Sequence, residues 1–385
     1  MTAPARSPVV VVAPDSFKGS LDAEGVANAI ADGVRTACPH VAVRLLPMAD
    51  GGEGTLDALL AAGGVRRALD VSGASGARCR AALGMLDNGA AVIESAQIVG
   101  ITDPVGMAAP VAERSTRGVG EAIRASLDAG AQTIYLALGG SSTNDGGAGM
   151  LVALGAILSD ADGRPLEPAP AALSRAARLD LSGLDPRLAS VELVGLSDVD
   201  NPLLGPHGAS AVFGPQKGVG AAQVEAFDAA LAGFANCAEA AFGAPGTRER
   251  AGAGAAGGLG FALHLLNARF EPGAEVVARE IGLDAALADA DWMITGEGRS
   301  DAQTLRGKAP FVAARHARDA GVPVSLLSGG IDRAALPLLS EHFDGCFSPA
   351  PGPLSLDEAI RDAASLLRDA GRQLALLRFA RSRTR

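Results

Sequence analysis

One pattern of hydrophobic and polar positions recurs along the chain. A short aliphatic run stops in a loop of Gly, Asp, Glu, Ser or Asn, and a helical pattern often follows. The first run covers residues 9–13, and its loop continues to Gly19. Ser20 is the expected cap of the next helix, whose buried stripe is predicted to be Val26, Ile30 and Val34.

The same order of strand, loop and helix is predicted several more times. Comparable runs and loops occur at 41–55, 90–97, 133–147, 191–202, 292–301 and 322–330. Strands that alternate with helices predict βαβ units and mostly parallel sheets, so the fold class is α/β. In such sheets ligands bind beyond the carboxyl ends of the strands, where this sequence concentrates its acids and glycines. Ordinary βα turns also use Gly, Asp and Asn, and that alternative stays open for any single loop.

The length of the chain predicts two domains. A chain of 385 residues exceeds what one hydrophobic core usually serves. The runs at 292–295 and 322–327 resemble the first two, which suggests a domain formed by both chain ends around an inserted middle. We expect residues 1–88 with 288–385 in the split domain and 89–287 in the inserted one. The Pro- and Ala-rich segments 163–180 and 242–258 are expected to be excursions or linkers.

Composition narrows the class of partner. Lys and Arg number 33 against 43 Asp and Glu, a formal charge of -10, which disfavours nucleic acid and acidic membranes as partners. The four cysteines form no C-x-x-C pair, so we expect free thiols in a reducing cytoplasm rather than zinc or disulfides. The N-terminal apolar run is too short for a signal peptide, and no run has the length of a membrane span.

The loops contain the groups that phosphoryl transfer requires, namely a phosphate cradle, oxygen ligands for Mg²⁺, cations and a carboxylate to position the acceptor. Residues 138–150 hold five glycines and two serines before a helical run, a typical setting for an anion at a helix N-terminus. Close packing of a glycine-rich turn is the alternative. Eight loop carboxylates are candidates, more than one Mg²⁺ needs: Asp15, Asp50, Glu53, Asp145, Asp198, Asp200, Glu297 and Asp301.

The candidate cations are Lys18, Lys217, Arg299 and Lys308. A loop lysine is usually only solvated, but Lys18 lies beside Asp15 in a strand-end loop. Neither of two familiar nucleotide-binding motifs is present in its required context. Gly252, Gly254 and Gly257 match G-x-G-x-x-G but follow no predicted strand, and no G-x-x-x-x-G-K-[ST] occurs.

Seven segments together resemble the type I glycerate kinase family. They occur in that family's order over nearly the whole chain: APDSFKGSL (13–21), PMADGGEGT (47–55), GGSSTNDGGAGM (139–150), SDVDNPLLG (197–205), GASAVFGPQKG (208–218), GAGAAGGLGFAL (252–263) and GEGRSDAQTLRGKAP (296–310). The resemblance implies transfer of the ATP γ-phosphoryl group to D-glycerate with Mg²⁺, usually giving 2-phosphoglycerate. It also implies two α/β domains, one Rossmann-like and built from both termini, with the active site in the cleft between them.

Site residues follow as expectations from these motifs. Asp198 is the expected base, with Asp200 as the alternative, and Lys18 and Asp50 complete the catalytic set. Asp50, Asp198 and Glu297 are the expected metal ligands. The expected substrate-binding residues are Asp15, Ser16, Lys18, Glu53, Asp200, Asn201, Lys217, Arg299, Asp301 and Lys308. The expected ATP-binding residues are Gly139, Gly140, Ser141, Ser142, Asn144, Asp145, Gly146, Gly257 and Gly258.

Several alternatives stay open at this point. A nucleotide-dependent dehydrogenase is weakened by the misplaced glycine motif. A non-catalytic two-lobed binding protein would need fewer carboxylates, and a kinase of another small hydroxy acid fits the same residues. The sequence fixes neither the hydroxyl that is phosphorylated nor the oligomeric state, so a homo-oligomer is left open.

Overall fold

The computed structural model describes residues 6–379. Within this range the strands are β1 (Val9–Val12), β2 (Ala42–Leu45), β3 (Val65–Ser72), β4 (Arg78–Met85), β5 (Ala91–Glu94), β6 (Thr133–Ala137), β7 (Ile157–Ser159), β8 (Arg178–Asp180), β9 (Glu192–Leu196), β10 (Arg269–Glu271), β11 (Trp292–Thr295), β12 (Arg299–Ser300), β13 (Val324–Leu327), β14 (Gly330–Ile331) and β15 (Gly345–Phe347). The α-helices are α1 (Ala23–Ala37), α2 (Thr55–Leu60), α3 (Ser95–Val99), α4 (Pro104–Ala108), α5 (Arg117–Asp128), α6 (Ala148–Ala153), α7 (Pro170–Leu173), α8 (Ala209–Lys217), α9 (Val224–Phe242), α10 (Ala255–Leu265), α11 (Gly273–Glu280), α12 (Leu283–Leu287), α13 (Ala309–Asp319), α14 (Leu336–Leu339), α15 (Leu356–Arg361) and α16 (Ala363–Phe379).

The first of two compact units contains both chain ends. It comprises the described residues 6–50, 57–62 and 274–379. Its five-stranded sheet has the order β15-β13-β11-β1-β2, and every neighbouring pair is parallel. Strands from the two ends of the sequence therefore share one sheet, which confirms the predicted Rossmann-like sheet. Glycines let α1 and α16 pack closely, because a Cβ at Gly33 would lie 2.0 Å from the carbonyl oxygen of Arg368.

The strand order of this sheet changes direction between β1 and β11. From β1 the chain moves outward to β2 on one side, whereas β11, β13 and β15 extend on the other side. The loops after β1 and β11 lie side by side, since the backbone N–H of Asp15 donates to the carbonyl oxygen of Gly296 at 2.8 Å. Parallel sheets bind ligands at such a switch point.

The second unit comprises residues 51–56 and 63–273. Its six-stranded sheet has the order β10-β9-β6-β5-β4-β3. Strands β5, β6, β9 and β10 are parallel, whereas β3 and β4 form an antiparallel hairpin at one edge. The expected domain boundaries stay a prediction, and these units differ from them in three segments. Residues 51–56 and 63–88 group with the second unit, the latter because β4 pairs with β5, and residues 274–287 group with the first.

Local expectations are met in part. The stripe of Val26, Ile30 and Val34 is fully buried, as predicted. The prediction that Ser20 caps α1 is wrong. The helix begins after Asp22, whose carboxylate accepts a hydrogen bond from the backbone N–H of Gly25.

The segments expected as linkers are also packed. Residues 163–180 contain α7 and β8, and Leu173 is fully buried there. Residues 242–258 place Ala253 and Ala255 in the hydrophobic core of the second unit. Among residues 6–379, no helix combines the length and the apolar character that crossing a membrane requires.

Candidate active site

A pocket of about 480 Å³ lies in the first unit at the carboxyl ends of β1 and β11. One group of its lining residues is charged: Asp15, Lys18, Asp50, Glu297, Arg299 and Lys308. A second group is apolar: Phe17, Leu356, Ala359, Ile360 and Ala363. Small residues supply the rest: Ser16, Ser20, Gly298, Gly329 and Gly330. Seven of the residues predicted for the site are thus together: Asp15, Ser16, Lys18, Asp50, Glu297, Arg299 and Lys308.

Asp15 is the most perturbed acid of this pocket. Its side chain is buried, and burial, reinforced by the negative charge of Asp50, raises the pKa of Asp15 to about 7. The backbone N–H of Ser16, which donates to the carboxylate at 2.6 Å, and the charge of Lys18 both oppose this rise. An acid that titrates near neutral pH inside a pocket is typical of functional sites.

Glu297 holds the loop after β11 in place. Its buried carboxylate accepts hydrogen bonds from Ser300 Oγ at 3.0 Å and Thr304 Oγ1 at 2.6 Å. Lys308 Nζ lies 3.1 Å from the same carboxylate and forms an ion pair with it. Because its oxygens already accept from three donors, Glu297 is less suited to bind a metal ion than predicted. That role stays a prediction.

Asp301 lies in the same segment but is not among the residues that line the pocket. Its carboxylate accepts from the backbone N–H of Gln303 at 2.8 Å, and its own N–H donates to Thr304 Oγ1 at 3.0 Å. These contacts describe a turn that supports Glu297 through Thr304. The predicted contact of Asp301 with substrate stays a prediction.

The glycine-rich loop of the second unit uses its backbone donors internally. The N–H of Ser142 donates to Val99 O at 2.7 Å, and that of Gly146 donates to Gly257 O at 3.0 Å. The N–H groups of Gly147 and Gly149 both donate to the Asp145 carboxylate, at 3.2 and 3.1 Å. These four N–H groups, which could otherwise bind a phosphate, therefore already have acceptors.

The predicted ATP-binding glycines of the second unit also have a packing role. Gly257 and Gly258 have φ values of 70° and 89°, a region that favours glycine. A Cβ at Gly257 would lie 2.0 Å from Thr143 O, and one at Gly258 would lie 2.6 Å from the Cα of Gly146. The two loops thus approach backbone to backbone, which supports the close-packing alternative. The assignment of ATP to Gly139, Gly140, Gly146, Gly257 and Gly258 stays a prediction.

Polar side chains of the same loop form an interior network. Asp145 is fully buried and accepts from Thr116 N at 2.7 Å and Thr116 Oγ1 at 2.8 Å. Burial raises the pKa of the Asp145 carboxyl, and those hydrogen bonds oppose the rise. Asn144 Nδ2 donates to Ser210 Oγ at 2.9 Å, and both residues are buried.

Lys217 is a buried basic residue of this network. Its Nζ donates to Thr143 O at 2.8 Å and to Ser141 Oγ at 3.3 Å. Burial lowers the pKa of Lys217 to about 7, and the charge of Asp145 opposes that shift. Lys217 is 2% exposed, and its hydrogen bonds hold the loop that contains Ser141 and Thr143. The predicted contact of Lys217 with substrate stays a prediction.

Replacing Asp145 with Ala is expected to destabilise the fold. Thr116, Gly147 and Gly149 would each keep a buried donor without its acceptor, so the free energy of unfolding should fall by roughly 3–5 kcal/mol. Urea denaturation followed by circular dichroism measures this change. The control is Asp162→Ala, because the Asp162 side chain is 67% exposed. A stable Asp145→Ala protein that had lost ATP binding would restore the ligand role.

The predicted acids after β9 lie at the surface of the second unit. Asp198, Asp200 and the predicted substrate ligand Glu53 are exposed. The loop that carries Asp198 is held by the N–H of Ser197, which donates to Glu271 O at 3.1 Å. Asn201 Nδ2 donates to His207 O at 2.8 Å, a contact within the loop. The catalytic and binding roles of these residues stay predictions.

Sequence reasoning missed the apolar side of the pocket. Leu356 and Ile360 lie four residues apart on α15, and the Ser355–Glu358 capping box identifies that helix in the sequence. The sequence of a short amphipathic helix does not indicate which element the helix faces, so the apolar side of the pocket could not be predicted from local sequence. Gly329 and Gly330 were visible only as a glycine pair after a predicted strand.

Comparisons with known proteins agree with the resemblance seen in the motifs. Residues 10–378 match the model of the glycerate kinase family. The chain is 44% identical over 370 residues to glycerate kinase from Bacillus subtilis (strain 168), covering 95% of this chain and 96% of the relative. It is 39% identical to glycerate 2-kinase from Escherichia coli (strain K12), covering 95% and 97%. A crystal structure described as a candidate glycerate kinase 2 from Salmonella typhimurium LT2 superimposes with a TM-score of 0.86 at 39% identity, covering 97% of this chain and 99% of that one.

Proposed function

The chain belongs to the glycerate kinase family, and from this premise we propose that it transfers the γ-phosphoryl group of ATP to D-glycerate. The proposed products are 2-phosphoglycerate and ADP. The observation that supports this most directly is the charged side of the pocket, where Lys18 and Arg299 stand beside Asp15 and Asp50. Phosphoryl transfer needs such a combination of cations and acids.

The cations would hold the anionic groups of the substrates. Lys18 and Arg299 are both exposed where they line the pocket, whereas Lys308 has Glu297 as its carboxylate partner. We therefore assign the carboxylate of glycerate and the γ-phosphoryl oxygens to Lys18 and Arg299. The guanidinium of Arg299 can bind a carboxylate through two parallel hydrogen bonds.

A carboxylate would accept or orient the proton of the acceptor hydroxyl. Asp198 remains our choice, because it is exposed directly after β9. Asp15 is the acid whose pKa, about 7, suits a proton acceptor at neutral pH. Replacement of Asp198 by Asn tests the choice between these two residues.

Mg²⁺ fits the donor set of the pocket. Among the described residues, no three His, Cys, Asp or Glu side chains converge closely enough to hold an ion by themselves. Mg²⁺ in kinases instead takes one or two carboxylates together with phosphate oxygens. Asp50 is half-buried in the pocket, and its charge raises the pKa of Asp15, so Asp50 would hold the ion with Asp15 beside it. The ion would supply positive charge to the phosphates.

A cytoplasmic location is part of this proposal. Cys38, Cys79, Cys237 and Cys346 are free thiols in the described part of the chain. Free thiols persist in a reducing compartment such as the cytoplasm.

We expect ADP formation to require both D-glycerate and a divalent cation. Pocket acids such as Asp15 and Asp50 repel a triphosphate unless a cation is present. A coupled ADP assay with glycerate, Mg²⁺ or both left out measures this dependence, and NMR of the product identifies the phosphorylated hydroxyl. Lactate and tartronate in place of glycerate test other hydroxy acids. Equal ADP release with and without glycerate would leave an ATPase or a binding protein.

A further inference from the structure

We propose that the pocket of the first unit takes the adenine nucleotide, with the nucleoside against the apolar wall and the phosphates toward Lys18. The apolar wall is defined here as Leu356, Ala359, Ile360 and Ala363. This inference rests on the proposed function for the identity of the nucleotide. It places the nucleotide-binding site at the switch point of the parallel sheet of the first unit, instead of at the glycine-rich loop of the second unit where the sequence predicted it.

The apolar wall has a large aliphatic surface that the protein itself leaves open. Leu356 is 73% exposed and Ile360 is 37% exposed, although both line the pocket. The wall is also fixed in position, since Ser20 Oγ donates to the carbonyl oxygen of Ile360 at 2.9 Å. Uncovered aliphatic side chains around a pocket favour a ligand with an apolar face.

The two sides of the pocket match the two ends of a nucleotide. Lys18 and Arg299 suit phosphate oxygens, whereas the wall suits a purine ring and its ribose. Glycerate carries an oxygen on every carbon, so it gains nothing from aliphatic contacts. The pocket volume of about 480 Å³ is also within the range of cofactor sites and exceeds what a three-carbon acid fills.

The location in the sheet agrees with this assignment. The pocket lies at the carboxyl ends of the neighbouring strands β1 and β11, from which the chain continues toward opposite edges of the sheet, and parallel α/β sheets bind nucleotides at such a switch point. The glycine-rich loop of the second unit has fewer free donors for a phosphate, because the N–H groups of Ser142, Gly146 and Gly147 already donate within the protein.

The test is a comparison of two leucines with nearly equal exposure. Leu356→Gln changes the wall, and Leu377→Gln changes a leucine that is 75% exposed on α16 and outside the pocket lining. Isothermal titration calorimetry with ADP gives the dissociation constant directly, without turnover. We expect Leu356→Gln to raise the Kd for ADP by roughly tenfold and Leu377→Gln to leave it unchanged.

Two further probes locate the effect within the pocket. Leu356→Gln should weaken binding of adenosine as it weakens ADP, and it should leave the Kd of inorganic tripolyphosphate and the KM for glycerate as in wild type. An unchanged Kd for ADP in Leu356→Gln and in the double variant Leu356→Gln/Ile360→Gln would overturn the proposal. Equal losses for adenosine and tripolyphosphate would also overturn it, because the wall would then act on the whole pocket.

Failure of the proposed function gives a different result. If wild-type protein forms no glycerate-dependent ADP but still binds ADP through Leu356, the nucleotide site stands and the acceptor assignment falls. If glycerate-dependent ADP formation is normal and Leu356→Gln leaves the Kd for ADP unchanged, the nucleotide site falls and the kinase assignment stands.

Discussion

Lys18→Met should reduce turnover by roughly 10²–10⁴-fold while the protein stays folded. Lys18 is exposed in the loop after β1 and lines the charged side of the pocket. Methionine keeps the unbranched, flexible shape and most of the length of the side chain but removes its charge, so anionic oxygens lose a partner. Steady-state assays of ADP formation should show a lower kcat and a higher KM for glycerate.

The pH profile of Lys18→Met gives a second measurement. The charge of Lys18 opposes the rise in the pKa of Asp15, which lies at about 7 in the wild-type protein. Its removal should raise that pKa further, so the acidic limb of the residual activity should move to higher pH if ionised Asp15 is needed.

Controls separate charge from structure at this position. Lys18→Arg should recover part of the lost turnover, because it keeps the charge. Arg333→Met removes an exposed cation of the first unit that does not line the pocket, and its activity should equal wild type. Wild-type kcat and KM in Lys18→Met would show that this loop does not bind the substrates.

Asp198→Asn should lower kcat by roughly 10²–10⁴-fold if Asp198 accepts the proton of the acceptor hydroxyl. Asparagine keeps the size and shape of the side chain but loses its basicity and charge. The KM for glycerate should change less than kcat, because the effect lies in the transition state. Binding of ADP, measured by calorimetry, should be unchanged.

Asp200→Asn is the matched control for this prediction. It changes the second exposed carboxylate of the same loop by the same chemistry. Full activity in Asp198→Asn together with loss of activity in Asp200→Asn would move the assignment two residues along the chain. Full activity in both would transfer the role to the acids of the pocket, Asp15 and Asp50 first, since Glu297 is held by Ser300, Thr304 and Lys308.

Much of the fold could be predicted because its signals are local. The aliphatic runs predicted at 9–13 and 292–295 are β1 and β11, and they differ from the observed strands by at most one residue. All eight side chains of these two strands are buried, and most are Val, Met or Ile, as is typical of strands enclosed on both faces. The hairpin of β3 and β4 was not predicted, because β3 is mostly exposed and carries charged residues, and the buried part of β4 is the short run Ala-Ala-Leu-Gly at 81–84, without β-branched residues.

The site was predicted less well because burial is not local. Lys18 and Lys217 both stand in loop-like motifs rich in glycine, yet one is exposed in a pocket and the other lies in the protein interior. Asp145 resembles a phosphate-loop acid in sequence, and only its contacts with Thr116 and Gly149 identify it as the centre of a hydrogen-bond network. Whether such a residue is exposed in a pocket or buried in a hydrogen-bond network thus depends on contacts with residues that are distant in sequence.

The arrangement of the parallel sheet also bears on how the protein is synthesised. Strand β1 is made first, but its hydrogen-bond partner β11 follows far later, as in the bond from Thr295 Oγ1 to Ala13 O across 282 positions. The nascent chain therefore carries an aliphatic strand with one unpaired edge until residues 292–295 leave the ribosome. Such edges are sites of aggregation, and prior folding of the intervening unit would shorten the effective loop that must close. Chains that terminate before β11 should consequently depend on chaperones for solubility, whereas full-length chains should not.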